Sequence, residues 1–353
     1  MAIDDAAEVL VYSDNPETVQ IPIAGVLYRA ETDGKARIRI FFYHANATSS
    51  ARAFGVVIRN DSGNPVSYRA LSAVPAPLPG TDTVRTTGHR AAEEFLQLFT
   101  GAAVWPQPAA LADGASAVLA SVDVRVGSIG CGYVEVNTDP AKLTFSVVVA
   151  GSAADLVNAA ENAQLRNDTG TSFAFDSVSR CGVYALKADH HALDYDAASP
   201  APQVATIVET PIPNSAIPSD WNHVRKTDAE YGVLSRVSVT LRNTTNVPRQ
   251  AALYYEPRGG NTTGTLMVDG ALMGVGFTDQ HPDSRLKLAV YPLAPGENKP
   301  PITILTTGEP AGSLPFHVIV DANDATPNPG TAGSIVYAGN AWRFRDPKLI
   351  AKR

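Results

Sequence analysis

The side chains best suited to bind a metal ion lie near the C-terminus. Asp321, Asn323 and Asp324 follow an apolar run over 316–320 that predicts a strand. Carboxylate and amide oxygens are the ligands that calcium prefers, and short Asp/Asn loops at strand ends sometimes hold this ion. The segment lacks the spacing and the distal glutamate of an EF-hand, so an ordinary turn is the alternative. We therefore expect no cofactor, with calcium as the alternative at this segment.

The densest group of metal-ligand side chains is the segment 189–196, which reads Asp-His-His-Ala-Leu-Asp-Tyr-Asp. Histidine with carboxylate suits zinc or copper. Because successive side chains of a strand point to opposite faces, His190 and His191 would not easily bind one ion there. We therefore expect a polar loop between domains, with a transition-metal site as the alternative.

Aromatic residues suggest a site of a different kind. Trp221, Tyr254 and Tyr255 would form a platform for a sugar ring if they were exposed together, and Arg258 beside them would fork onto a carboxylate. Single aromatics at strand ends more commonly pack in a core or between domains. Both interpretations, a binding surface and internal packing, follow from the same residues.

The chain has two cysteines, Cys131 and Cys181, and no Cys/His spacing typical of a zinc site. In a secreted chain the simplest expectation is that the two pair as a disulfide, which would stabilise the fold by roughly 4 kcal/mol in the chain-entropy model. Two buried free thiols are the alternative.

Sequence signatures of catalysis and of nucleotide binding are missing. The chain contains no Gly-x-Ser-x-Gly motif, no phosphate-binding loop and no dinucleotide fingerprint. The formal net charge of -7 and the pI of about 5.5 argue against nucleic acid and anionic membrane surfaces as partners. No run is long and apolar enough to predict a membrane helix. These features favour a protein that is not an enzyme.

The elements that would position these residues begin with a repeated pattern. Residues 58–65 and 241–248 share the form apolar-Arg-Asn-x-(Ser/Thr)-x-x-Pro, and each copy follows an alternating run. Alternation with period two predicts a half-buried strand, and the polar cluster after it predicts a turn. The same unit occurring twice indicates two related β domains in tandem. Each copy of the pattern also contains a glycosylation sequon, at Asn60 and Asn243, and three further sequons begin at Asn46, Asn167 and Asn261.

The whole sequence predicts an all-β protein of two tandem β-sandwich domains, Ig-like or jelly-roll-like, with one or two short helices. The N-terminal sandwich is expected over 1–200 and the C-terminal sandwich over 203–353, joined by the proline-rich segment 198–202. One helix is predicted near 89–99, where apolar residues recur at helical spacing. A second, over 156–165, is either a short helix or a loop.

The order of several short segments in the two domains resembles that of a known family. The first domain carries Gly25-Val26-Leu27-Tyr28 and a following strand over 39–46, and the second carries 231–234, the Leu-Arg-Asn strand, 256–260 and 293–297. This order resembles poorly characterised secreted bacterial two-domain β proteins, often described as stalk-domain or copper-amine-oxidase-N-terminal-like. The small stalk domain itself does not occur here. The resemblance implies an extracellular or cell-envelope location and no catalytic residues.

These observations lead to one expected function and two alternatives. The leading expectation is a non-enzymatic extracellular or cell-envelope structural or adhesive protein that self-associates or binds a surface protein or glycan. Residues 1–6 have no signal-peptide character, so this expectation requires that Met1 replaces a removed signal. The alternatives are a carbohydrate- or calcium-binding β-sandwich module and a double jelly-roll coat subunit.

Overall fold

The computed structural model describes residues 7–14, 18–20, 24–77, 84–99, 103–163, 181–186, 189–199, 201–207, 232–258, 262–278, 286–308 and 316–323. Strands dominate these ranges, and the two helices in them are short, so the all-β class is confirmed. Neither helix is long and apolar enough to cross a membrane.

Contacts divide the chain into two compact units. The first takes Met1–Lys187 with Thr210–Gly232, and the second takes Ala188–Glu209 with Val233–Arg353. We expected the division near residue 200, but strands on both sides of 198–202 pair inside the second unit. Strand pairing places the boundary earlier, because the segment 189–196 forms a strand there and not a polar connecting loop.

The described residues of the first unit form β1 Val9–Ser13, β2 Thr18–Val19, β3 Gly25–Asn46, β4 Arg52–Asn60, β5 Val66–Ala73, α1 Val84–Gln97, β6 Ala109–Leu111, β7 Ser116–Val124, β8 Ile129–Ala150, α2 Leu156–Asn162 and β9 Cys181–Ala185. These nine strands form one sheet with the main order β6-β5-β8-β3-β1-β9; in addition, β2 pairs with β3, β4 pairs with β8, and β7 pairs with β4.

Both faces of this sheet are buried in places, which the alternation along β3 makes clear. Ile38, Ile40 and Phe42 belong to the main apolar core, whereas Phe41 points to the opposite face. Helix α1 covers part of that second face, and the Phe95 ring stacks on Tyr133 at a centroid distance of 4.4 Å. The helix expected near 89–99 is therefore present, with bounds shifted towards the N-terminus.

Helix α2 packs on the outer face of β4 and β8. Its buried residues Leu156 and Ala160 contact an apolar patch that includes Val57 and Val148. A Cβ atom on Gly55 would lie 2.9 Å from the Ala120 backbone carbonyl oxygen and 2.6 Å from Leu156 Cδ1, so a glycine allows this close approach. The helix ends at Asn162.

The second unit contains two sheets, with orders β10-β12-β17-β14-β15 and β11-β18-β13-β16. One apolar core takes residues from both sheets, among them Val237, Val239 and Leu241, which alternate along β12 as the sequence pattern predicts. The strands are β10 Asp189–Asp196, β11 Gln203–Ile207, β12 Leu234–Arg242, β13 Arg249–Pro257, β14 Thr262–Val268, β15 Ala271–Thr278, β16 Leu286–Leu293, β17 Ile302–Thr307 and β18 Phe316–Ala322.

Candidate functional site

The tyrosines expected to form a sugar platform are buried. Tyr254 and Tyr255 are neighbours on β13, each 0% exposed, and they point to opposite faces of the sheet. Tyr255 packs in the core with its ring 5.0 Å from that of Phe316. The platform interpretation is therefore wrong for these two residues, because core packing takes both rings. Trp221 lies outside the described residues.

Arg258, expected beside the platform, donates a hydrogen bond to its near neighbour Glu256. The Nη1 atom lies 3.0 Å from Glu256 Oε1, and the Arg258 side chain is 42% exposed. Arg258 thus contacts a carboxylate two residues away through one N–H group, and no second bond of the expected fork is seen between these two described side chains.

The residues proposed to hold calcium are engaged with other groups. Asn323 Oδ1 accepts a hydrogen bond of 2.8 Å from Lys287 Nζ, and Asn323 Nδ2 donates to Gln250 Oε1. The lysine ammonium thus contacts the oxygen that a cation would need. Asp321 Oδ1 accepts from the Ala322 backbone N–H, and Asp324 lies outside the described residues. Within those residues, no group of three or more His, Cys, Asp or Glu side chains is arranged to hold a metal ion.

The two cysteines do not form the expected disulfide. Cys131 and Cys181 are buried thiols on β8 and β9, and no disulfide joins them. Cys131 on β8 lies opposite Tyr43 on β3, and Cys181 on β9 lies opposite Ser13 on β1. In the sheet order β8-β3-β1-β9, two strands therefore lie between the cysteines. Three strand spacings separate the thiols, which is about 14 Å, whereas a disulfide needs Cα atoms within about 7 Å. Sheet order therefore rules the bridge out.

The repeated turn of the sequence contains a buried asparagine with a fixed set of hydrogen bonds, here called an Asn lock. In the second unit, Asn243 Oδ1 accepts from the backbone N–H and the hydroxyl of Thr245, at 3.1 and 2.6 Å. Its Nδ2 donates to the Val247 carbonyl at 2.9 Å and to the carbonyls of Leu293 and Ala294 at 3.1 and 3.0 Å. One side chain thus closes its own turn and ties it to the end of β16.

The first unit contains the same arrangement at Asn60. Its Oδ1 accepts from the backbone N–H and the hydroxyl of Ser62, at 3.0 and 2.7 Å. Its Nδ2 donates to the carbonyls of Asn64 and Leu111, at 2.7 and 2.9 Å. Asn60 and Asn243 are both 0% exposed, so these bonds are shielded from water.

A third Asn lock, at Asn46, escaped the sequence comparison. Asn46 Oδ1 accepts from the backbone and hydroxyl of Thr48, and Nδ2 donates to the carbonyls of Ser50 and Val124 at 2.9 and 2.8 Å. The segment lacks the arginine and the proline of the repeated pattern. Only Asn-x-(Ser/Thr) is common to all three locks, and this tripeptide is the signal that would have found the third.

Each Asn lock faces a glycine turn on the neighbouring chain segment. Gly114, Gly127 and Gly296 have φ angles of +73°, +76° and +72°, a region that favours glycine. Gly114 N–H donates to the Asn60 carbonyl, and Gly127 N–H donates to that of Asn46. Because glycosylation replaces one of the two Nδ2 hydrogens of the asparagine, a glycan at any lock would remove at least one of its donor bonds.

Two carboxylates accept hydrogen bonds beside the Asn lock of the second unit. Asp196 accepts hydrogen bonds from the Ala198 and Thr244 backbone N–H groups and from the Thr244 hydroxyl. Glu297 accepts from Lys299 Nζ and from the Ala294 N–H. The pKa of Asp196 is lowered chiefly by the Ala198 backbone bond, and the pKa of Glu297 is lowered chiefly by the Lys299 bond.

These shifts predict that acid weakens the second unit. A carboxylate with a lowered folded-state pKa contributes stability above its ordinary pKa, and this contribution is lost as the pH falls through the folded-state value. We expect the melting temperature to fall from about pH 4 downwards, and Asp196→Asn to reduce that fall. Thermal unfolding of wild type and variant between about pH 6 and pH 2.5 measures this.

Asp123→Asn, which changes an exposed carboxylate on β7, is the control for this experiment. An unchanged acid dependence in Asp196→Asn would contradict the role assigned to Asp196.

A buried charge pair lies between the first sheet and α1. Arg39 and Glu135 face each other across β3 and β8, and Arg39 Nε forms an ion pair with Glu135 Oε1. The side chains are 1% and 6% exposed. Arg39 Nη1 donates to the Gly232 carbonyl at 2.8 Å, and the guanidinium lies 4.8 Å from the Phe95 ring centroid. The pair is thus enclosed by polar and aromatic partners.

The candidate ligand site is a polar pocket on the outer face of the first sheet, where α2 ends. Its volume is about 180 Å³. Most of the pocket lining comes from two neighbouring rows of residues across the sheet and from α2. The first row contains Arg29, Ser146 and Val57, and the second contains Glu31, Thr144, Arg59 and Ser116. Ala160 and Glu161 are the two lining residues from α2.

Both arginines of this outer-face pocket are held by protein groups. Asp61 Oδ1 accepts from Arg59 Nε at 2.8 Å, and Asp61 Oδ2 accepts from the Thr144 hydroxyl at 2.7 Å. Arg29 Nη2 donates to the Ala160 carbonyl near the end of α2, at 2.5 Å. Sequence reasoning missed this pocket because its residues come from four strands and a helix that are far apart in the chain.

Comparisons with known proteins do not place the chain in a family. No family model and no curated protein matches the sequence. Among solved structures, it is similar to tripeptidyl peptidase 2, at 11% identity and a TM-score of 0.17, over 89% of this chain and 24% of that one. It is also similar to the CBM22-1-CBM22-2 tandem domain of Paenibacillus barcinonensis Xyn10C, at 10% identity and a TM-score of 0.15, over 92% and 100% of the two chains.

A multicopper oxidase from Campylobacter jejuni is similar at 10% identity and a TM-score of 0.12, over 77% of this chain and 48% of that one. The chain therefore spans about a quarter of the peptidase and about half of the oxidase. Similarities this low carry no argument about activity or ligand.

Proposed function

We propose that the protein is a non-enzymatic extracellular or cell-envelope structural protein that self-associates through edge strands of its second unit. The observation that carries this proposal is the charge pattern of the outermost strands in the two sheets of that unit. The resemblance to secreted two-domain β proteins supports the location.

Each sheet of the second unit ends on one charged strand and one uncharged strand. In the five-stranded sheet, β10 carries Asp189, Asp194 and Asp196, whereas β15, which reads Ala-Leu-Met-Gly-Val-Gly-Phe-Thr, carries no charge. In the four-stranded sheet, β16 carries Lys287 and Pro292, and β11, which reads Gln-Val-Ala-Thr-Ile, carries no charge. Charge and proline are the devices by which proteins protect sheet edges from pairing, so β11 and β15 are the two unguarded edges among the strands that the structure describes in this unit.

A second copy of this chain is the partner that these edges fit. An edge strand presents backbone N–H and C=O groups that pair with any extended strand, and an uncharged strand does not repel its own copy. Val204 on β11 is 45% exposed, which adds an apolar contact at one edge. Because one chain offers two such edges, self-pairing at both builds an assembly larger than a dimer.

The mass of the native particle by light scattering tests the proposal. We expect a species several times the 37.2 kDa chain mass, unchanged by EDTA. Ala271→Lys with Thr206→Lys adds a charge at an exposed position of each unguarded edge and should reduce the mass towards that of the monomer. Asn246→Lys with Val247→Lys adds the same charge to an exposed turn and should leave the mass unchanged.

Other outcomes separate the alternatives. A wild-type monomer would contradict self-association. Dissociation only on addition of EDTA would favour a calcium-dependent module, and closed shells on electron microscopy would favour a coat subunit.

A further inference from the structure

The outer-face pocket of the first unit is built from side chains that the proposed self-association does not use. It lies on β3, β4, β7, β8 and α2, whereas the unguarded edges belong to the second unit. The floor includes the buried Val57 and the buried hydroxyls of Thr144 and Ser146. The pocket therefore combines a small apolar surface with polar groups that are fixed by the sheet.

The guanidinium of Arg59 is oriented before any ligand arrives. Its Nε is bound to Asp61, which is itself held by the buried Thr144 hydroxyl. Among the described residues, Asp61 is the partner of this guanidinium, so its two Nη groups form a fork with donors available to a ligand. A preoriented fork binds oxygen atoms with little loss of side-chain entropy.

Acceptors surround this donor fork. Glu161 Oε1 accepts from the Ser116 hydroxyl at 2.7 Å, which leaves its second oxygen for other donors. The exposed Glu31 lies 3.5 Å from Lys142, so its charge is partly balanced. Two cationic and three anionic side chains therefore line the pocket, and neither sign dominates.

This balance selects the class of ligand. A phosphate or a dicarboxylate would meet three carboxylates, and a polycation would meet two guanidinium groups, so both are disfavoured. A hydroxyl group donates and accepts at once, and vicinal hydroxyls match alternating guanidinium and carboxylate groups. We propose that the outer-face pocket binds a neutral polyhydroxylated ligand of monosaccharide size, with its apolar face towards Val57 and Ala160.

The test is NMR titration of the full chain with glucose, galactose, mannose and N-acetylglucosamine, each compared with inorganic phosphate and glycine. We expect saturable shifts with at least one neutral sugar and none with phosphate or glycine. Arg59→Ala should weaken that binding by about ten- to a hundredfold, the loss of hydrogen bonds to a charged group. Arg59→Lys keeps the charge but lacks the fork, so it should restore only part of the affinity.

Arg125→Ala, which removes an exposed arginine outside the pocket, should leave sugar binding unchanged. Arg59 is 45% exposed, so its removal should cost little stability, and an unchanged melting temperature confirms that the variant is folded. No saturable shift with any of the four sugars would overturn the proposal. Binding of phosphate or glycine in their place, or sugar binding that persists in Arg59→Ala, would overturn it equally.

Discussion

Glu135→Ala is expected to destabilise the first unit by about 3–5 kcal/mol, because it leaves the buried Arg39 charge without its partner. The guanidinium is 1% exposed and cannot turn towards water without displacing the Phe95 ring above it. The Gly232 carbonyl accepts one of its hydrogen bonds but carries no full charge. Chemical unfolding monitored on the first unit measures this loss.

The double variant Arg39→Met with Glu135→Leu distinguishes a charge effect from a packing effect. It removes both charges and keeps apolar volume, so it should recover most of the stability that Glu135→Ala loses. A loss below about 1 kcal/mol in Glu135→Ala would show that the charge pair is not buried as described. A double variant as unstable as the single one would assign the loss to packing.

Asn243→Ala is expected to destabilise the second unit by about 3 kcal/mol. The change removes the acceptor of the Thr245 N–H and the donor to three backbone carbonyls, all in a region shielded from water. Asn243→Asp should be as damaging, because a carboxylate oxygen would then face those carbonyls. Hydrogen exchange measured by mass spectrometry on peptides of the second unit reports the change in its free energy of unfolding.

Asn246→Ala is the matched control for this turn, because Asn246 is exposed and lies in the same loop. Its effect should stay within about 0.5 kcal/mol. Asn60→Ala should repeat the result in the first unit, where the same bonds occur. Equal stability of Asn243→Ala and Asn246→Ala would contradict the structural role of the Asn lock.

Period-two patterns predicted the strands that have one buried face. The alternation over 235–241 corresponds to β12, whose buried residues recur at every second position. Where both faces of a strand are covered, the pattern is less informative. The segment 137–140, Asn-Thr-Asp-Pro, resembles a turn but lies within the long strand β8, where Asn137 and Thr138 pair with Arg69 and Tyr68 of β5.

Long-range register explains what the sequence did not reveal. The composition of residues 189–196 indicates a polar loop, but all eight residues pair in parallel with β12. A parallel partner is distant in the chain, so the pairing leaves no signal in the local sequence. In the outer-face pocket, Arg29 contacts Ser146, which is 117 positions away. For Tyr254 and Tyr255, residue type left both a binding surface and internal packing open, and burial on both faces of β13 decides for packing.

The central structural claim is that the polar side chains at these strand ends hold the fold together. Proton exchange of the asparagine side-chain amides in a deuterated sample measures this directly. The Nδ2 protons of Asn46, Asn60 and Asn243 should exchange slowly and show NMR couplings to the carbonyls they contact, while those of the exposed Asn64 and Asn246 exchange rapidly. Rapid exchange at all five asparagines would show that the Asn locks do not form.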